Sequence, residues 1–147
     1  MIVHNNSFYA RQICEAAGVA YNQAVDPSIV RVEKDKLLGG SVYQNYTGGN
    51  GSIGIHVASF APRWINQDLL FMTFHYPFEQ LGCNKLFGTV PANNEAALSF
   101  NLKLGFRVEQ VIKDVYPDGD MILMAMHRAE CRWLGIKPRK FQIGEAA

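Results

Sequence analysis

The sequence predicts a mixed α/β domain, and three observations predict it. Stretches that alternate apolar and polar residues, such as Val30, Arg31, Val32 and Glu33, read as strands. Others place apolar residues at steps of four and three, as Leu70, Phe74, Phe78 and Leu81 do, and read as helices. Asp118 and Gly119 stand between two apolar runs, a strong hairpin signal. With 147 residues, 48% of them hydrophobic, and nine Phe, six Tyr and two Trp, the chain has enough bulk for one sizeable core, so a single domain over 1–147 is expected.

Taken in order, Ser7 is expected to cap a first helix that ends at Gly18, and Asp26-Pro27 marks a turn. Ile29 to Glu33 and Leu37 to Tyr46 form a hairpin across the charged turn Lys34 to Lys36. After a Gly-rich turn from Thr47 to Ser52, Ile53, Ile55 and Val57 alternate with Gly54, His56 and Ala58 as a third strand, which Pro62 ends. The helical spacing from Leu70 to Leu81 stops at Gly82, and Pro77 should kink or break that helix near His75. Leu86 to Val90 is a short buried strand. Asn93 is expected to cap the next helix, which runs to Leu104 and stops at Gly105. Arg107 to Tyr116 and Met121 to His127 close the domain as a hairpin around Pro117 to Asp120, with Met121 to Met126 covered on both faces.

Composition excludes several classes of function. A net charge of +1, with a local basic excess only at Lys137 to Lys140, argues against nucleic-acid binding. Leu69 to Phe74 and Met121 to Met126 fall far short of the roughly 20 apolar residues a membrane helix needs. Met1 to Ser7 lacks the pattern of a secretory signal, so a cytoplasmic location is expected. Cys14, Cys83 and Cys131 are odd in number and widely spaced, which fits reduced thiols and neither disulfides nor a metal site.

The run from Asn94 through Ala97 and Asn101 to Gly105-Phe106 resembles the signature of the GNAT N-acetyltransferase superfamily. A strand ending at Val90-Pro91 before it and the Phe106 to Glu109 strand after it strengthen the resemblance, which covers a core of 29–128 and leaves a tail of 129–147. With Ala129 to Leu134, the chain is similar in particular to small GNAT-like proteins encoded by bacteriophages, which would place it in a host cytoplasm. The resemblance implies a mixed, splayed seven-stranded sheet with helices on both faces. It implies acetyl-CoA as co-substrate in the opening between the two central strands, and direct transfer of the acetyl group to an amine of a protein or small molecule. Neither metal, nucleic acid nor membrane belongs to this reading, and a homodimer is compatible with it.

Asn94 would offer its amide to the pantetheine arm, or act only as a helix cap. The family's glycine loop is missing from Ala61 to Asp68, so Arg63 and the first amides at Asn66 and Gln67 would have to grip the pyrophosphate, with Arg63 otherwise a solvated charge. Where many members carry a proton-donating Tyr, this chain has Asn101, which can hydrogen-bond the thiolate or the acetyl carbonyl, or simply sit satisfied under the sheet. His56 is the candidate general base, or else a packed histidine. Ser59 is a candidate cofactor contact or a plain strand-end serine. Cys83 lacks an activating partner and is not expected to be a nucleophile. The alternative function is a GNAT-like scaffold, weak or inactive in catalysis, that grips a protein through Trp64, Tyr43 and Tyr46 around the cleft.

Overall fold

The computed structural model describes residues 1–136 and the backbone of 143–145, so the basic run Lys137 to Lys140 lies outside the described residues. In chain order it contains β1 (Ile2–His4), α1 (Ser7–Ala17), β2 (Ser28–Glu33), β3 (Lys36–Gln44), β4 (Ser52–Ser59), α2 (Gln67–His75), β5 (Lys85–Pro91), α3 (Glu95–Leu104), β6 (Arg107–Tyr116), β7 (Gly119–His127) and β8 (Ile143–Glu145). The strands form one sheet in the order β6-β7-β5-β4-β3-β2-β1-β8. Pairing is parallel between β4 and β5 and between β1 and β8, and antiparallel elsewhere. The sheet thus has eight strands where seven were expected; the additional one is the three-residue β8 at the β1 edge.

Alternation along the strands sorts the core into two layers. Val3, Val30, Val32 and Val42 pack with Ala10, Ile13 and Cys14 of α1 on one face. Ile2, Ile29, Tyr43, Ile53 and Ile55 pack on the other with Leu69, Met72 and Phe74 of α2, where Ala97, Leu98 and Leu104 of α3 also lie. Burial on this scale, at about 25 cal/mol per Å2 of apolar surface, is what holds helices to both faces. The covering is uneven. β7 buries Ile122, Met124 and Met126 under the α2 and α3 layer, but α1 spans β2 to β4, so Met121 and Leu123 on the other face are only partly buried rather than covered as expected.

All three α-helices begin with asparagine. Asn6, Asn66 and Asn94 each accept, through Oδ1, the amide of the residue three further on: Tyr9 (3.1 Å), Leu69 (2.8 Å) and Ala97 (3.2 Å). The caps are therefore Asn6 rather than Ser7 and Asn94 rather than Asn93. A carboxamide directly before the first helical residue reaches the third free amide, and Asn93 instead donates to Asp118 at 2.8 Å. Gly18 and Gly105 end α1 and α3 in the left-handed conformation, as the sequence predicts.

Pro77 changes the helix as expected, and the change leaves a debt at Thr73. A proline has no N–H to give the carbonyl four residues back. From Tyr76 to Gln80 the chain widens into a π-helical turn, and the Tyr43 hydroxyl donates to the Thr73 carbonyl at 2.6 Å. Tyr43 is fully buried and burial pushes its phenol up, so it stays protonated as that bond requires. Tyr43→Phe leaves the Thr73 carbonyl without its donor and is expected to destabilise the fold by about 1–3 kcal/mol. A urea titration with an unchanged midpoint would refute the assignment.

At the opposite edge β6 is exposed along nearly all its length, Val108, Val111, Ile112 and Val115 included. Its register against β7 shifts twice, between Val108 and Gln110 and between Ile112 and Tyr116, and Asp114 adopts a left-handed φ of 58°. The hairpin turn is tighter than predicted, because Tyr116 already pairs with Gly119 across Pro117-Asp118. Among the described residues no helix is long and apolar enough to cross a membrane.

Candidate active site

β4 and β5 pair only through Ser52–Lys85, Ile53–Leu86 and Gly54–Phe87. Beyond that they part, while β4 stays bonded to β3 as far as Ser59 and β5 stays bonded to β7 as far as Pro91. Two strand edges, Ile55 to Ser59 and Gly88 to Pro91, therefore face each other with no strand between them. Unpaired edges offer amide donors and carbonyl acceptors to anything extended that enters. A cavity of about 500 Å3 fills the opening, lined by both edges and by Trp64, Ile65, Thr73, Asn94, Phe100 and Asn101 among others.

His56 sits between Ile55 and Val57, which belong to the α2 and α3 layer, so its side chain projects to the α1 side, where Ala16 and Ala17 share the cavity wall. Burial lowers its pKa below 6.5, and the Asp26 carboxylate offsets this only in part, so the imidazole is neutral at pH 7. Asp26 is itself held by the Asn22 amide and by Gln44 Nε2, both at 2.8 Å. Asn101 lines the cavity from the other layer, its Nδ2 donating to Met124 Sδ at 3.7 Å, a weak acceptor. Asn94 also lines the cavity, but its carbonyl oxygen is engaged by the cap, which leaves the NH2 group for a ligand. Ser59 ends β4 at the mouth.

The opening brings His56, Ser59, Asn94 and Asn101 together. It does not bring in Arg63, Asn66 or Gln67, which lie just outside the lining; Asn66 caps α2 and Gln67 is the first residue of that helix. The segment before them is pinned. Arg31 Nη1 donates to the carbonyls of Arg63 (2.7 Å) and Trp64 (3.0 Å), and the Trp64 ring lies so close over Gly39 that a Cβ there would come within 2.6 Å of it. Because N–H and C=O point oppositely across a trans peptide, those bonds turn the amides that follow away from Arg31. Trp64, whose ring centroid is 5.7 Å from that of Phe100, is a wall of the cavity. Tyr43 and Tyr46 are not at the cleft: Tyr43 is buried beneath the sheet, and the Tyr46 hydroxyl donates to the Leu81 carbonyl. Burial raises the pKa of Cys83, and burial, the largest of several influences, raises that of Cys131; burial and the Asp26 charge push the Cys14 thiol up to about 11. Among the described residues no cluster of His, Cys, Asp or Glu could hold a metal ion.

No protein-family model matches the chain, and no curated protein matches it. Solved structures do. A candidate acetyltransferase of the GNAT family from Desulfovibrio desulfuricans is similar over 86% of this chain and 99% of that chain, at 16% identity and a TM-score of 0.65. A mutant of the spermidine N-acetyltransferase SpeG from Vibrio cholerae is similar over 75% and 67%, at 18% identity and a TM-score of 0.59. The Campylobacter jejuni N-acetyltransferase PseH in complex with acetyl coenzyme A is similar over 70% and 68%, at 19% identity and a TM-score of 0.53. At these identities the likeness is one of fold: with its mixed sheet and helices on both faces, the chain has the fold of the GNAT acetyltransferases.

Proposed function

We propose that this chain binds acetyl-CoA in the opening between β4 and β5 and transfers the acetyl group to an amine by direct attack. The observation that carries the reading is the pair of unpaired edges, Ile55 to Ser59 and Gly88 to Pro91, around a cavity of about 500 Å3. The pantetheine arm carries two amides and can take the place of a missing strand between such edges. The complex of the Campylobacter jejuni neighbour with acetyl coenzyme A supports the same ligand here. Asn94 would give its NH2 to the arm, and Arg63, Asn66 and Gln67 would meet the pyrophosphate outside the opening.

The two layers divide the chemistry. His56, on the α1 side, takes the proton of the attacking amine directly or through one water. The amine nitrogen bonds to the thioester carbon, the carbon–sulfur bond breaks, and the thiolate leaves on the side of Asn101, which can hydrogen-bond it but not protonate it. The proton that His56 has taken then goes to the thiolate through solvent, so no acetyl-enzyme is needed.

Calorimetric titration with acetyl-CoA tests the reading. Binding is expected, and no heat at millimolar ligand would overturn it. Arg63→Ala is expected to weaken binding about tenfold if its guanidinium makes a charge-assisted contact with the pyrophosphate; an unchanged Kd returns Arg63 to solvent. A protein-binding module without turnover is favoured by one observation, the glycine-free segment whose carbonyls are held by Arg31. Acetyl-CoA binding without acetyl transfer would select it.

A further inference from the structure

Among the described residues that line the cavity, none is Asp, Glu, Lys or Arg, and His56 is the one histidine. The remaining wall is apolar apart from Ser, Thr and Asn side chains. Carboxylates do lie elsewhere on these elements, but they do not line the cavity. Asp26 is held by Asn22 and Gln44, Asp118 by Asn93, and Asp120 by Lys113 and the Asp114 amide, while Glu95 is exposed in the first turn of α3. An ammonium ion that entered beside His56 would lose its hydration and gain only the pull of Asp26, which does not offset burial for His56 itself.

We propose that the acceptor is a weakly basic primary amine with no second cationic group, such as the α-amine of a peptide or the amine of an amino sugar, and not a polyamine or a lysine side chain. The proposal rests on the acetyl-transfer reading and gives that site its substrate class. A site that cannot hold the cation must take the neutral amine from solution. At pH 7 a lysine amine with a pKa near 10.4 is neutral in about one molecule in 2,500, and an α-amine near 7.8 in about one in seven. The supply of nucleophile therefore differs about three-hundredfold before any contact is made. His56 cannot make up the difference, since burial leaves it a weaker base than an ordinary imidazole.

The experiment measures release of coenzyme A thiol at pH 7 with alanylalanine, glucosamine, spermidine and Nα-acetyllysine amide as acceptors. At least one of the first two is expected to exceed both of the last two by about a hundredfold or more in kcat/KM, and the faster of the first two identifies the source of the amine. Spermidine or the lysine derivative turning over as well as the weak amines overturns the proposal and leaves acetyl transfer standing. Acetyl-CoA binding with no release on any acceptor also overturns it, whereas absence of acetyl-CoA binding removes the underlying reading. A second variant gives an independent readout. Ala16 is exposed and lines the same cavity as His56. Ala16→Glu supplies the missing carboxylate and is expected to shift the spermidine-to-alanylalanine ratio at least about tenfold towards spermidine; an unchanged ratio means that charge does not govern selection there.

Discussion

Replacing His56 with Gln is expected to lower kcat/KM at pH 7 by about a hundredfold to ten-thousandfold while acetyl-CoA binds as before. Gln keeps a polar group at the wall but has no basic nitrogen, so the variant isolates proton removal from packing. In the parent, burial favours the neutral imidazole and places the pKa below 6.5. Activity referred to the concentration of neutral amine should therefore fall as pH drops through the lowered pKa, and in the variant that limb should disappear while the deprotonation of the amine itself remains. The same shift bears on stability. A group whose folded pKa lies below its unfolded one contributes stability that is present above the unfolded value and lost as pH falls through the folded value. The wild-type midpoint in urea should accordingly decline below pH 6.5 more steeply than that of His56→Gln. A variant with wild-type kcat/KM and an unaltered pH profile would make His56 a packing residue.

Gly40→Ala is expected to cost about 3 kcal/mol or more and to leave little folded protein. A Cβ built on Gly40 falls 2.5 Å from the Ile29 carbonyl oxygen and 2.6 Å from Val30 Cα. Both are backbone atoms of β2 in the centre of the sheet, and they cannot rotate away as a side-chain end would. Relief requires β2 and β3 to separate where Val30 pairs with Gly40, which also disturbs the neighbouring Arg31–Gly39 pair and the bulge after it. Circular dichroism melting checks this, and a Tm within a few degrees of the parent would show that the sheet yields more easily than its contacts indicate.

Local rules made most elements legible. Gly18, Gly105 and Pro77 acted where their backbone chemistry says they must, the period of the apolar residues located β2, β4 and α2, a short apolar run located β5, and cap and stop signals located α3. β1 was missed because three residues, Ile2 to His4, are too few for a period and are recognisable only by their partners on β2. The caps slipped by one residue because several adjacent side chains, Asn6 and Ser7 or Asn93 and Asn94, could each do the task, and only chain direction chooses. The site was half legible. His56, Asn94, Ser59 and Asn101 line the cavity and Arg63, Asn66 and Gln67 do not, while the wall formed by Trp64 depends on Arg31 and Gly39, residues far away in sequence. Its one local trace is the pair Gly39-Gly40, unusual inside a strand and explained by two close approaches. That no Asp, Glu, Lys or Arg stands among the described residues lining the cavity is a property of the assembled wall and is written in no single segment.

β6 governs how the protein behaves when crowded. A ten-residue border strand bearing Val108, Val111, Ile112 and Val115 in the open would be a template for recruiting foreign strands and growing aggregates. Its two register shifts and the left-handed turn at Asp114 break the row of peptide groups into short runs in register, Arg107 to Val108 and Gln110 to Ile112. Lys85 bound to Glu109 and Lys113 bound to Asp120 set charges at both breaks. Runs of two and three residues are short docking strips for another chain's strand, so the border is guarded against edge-to-edge pairing without a helix to cover it.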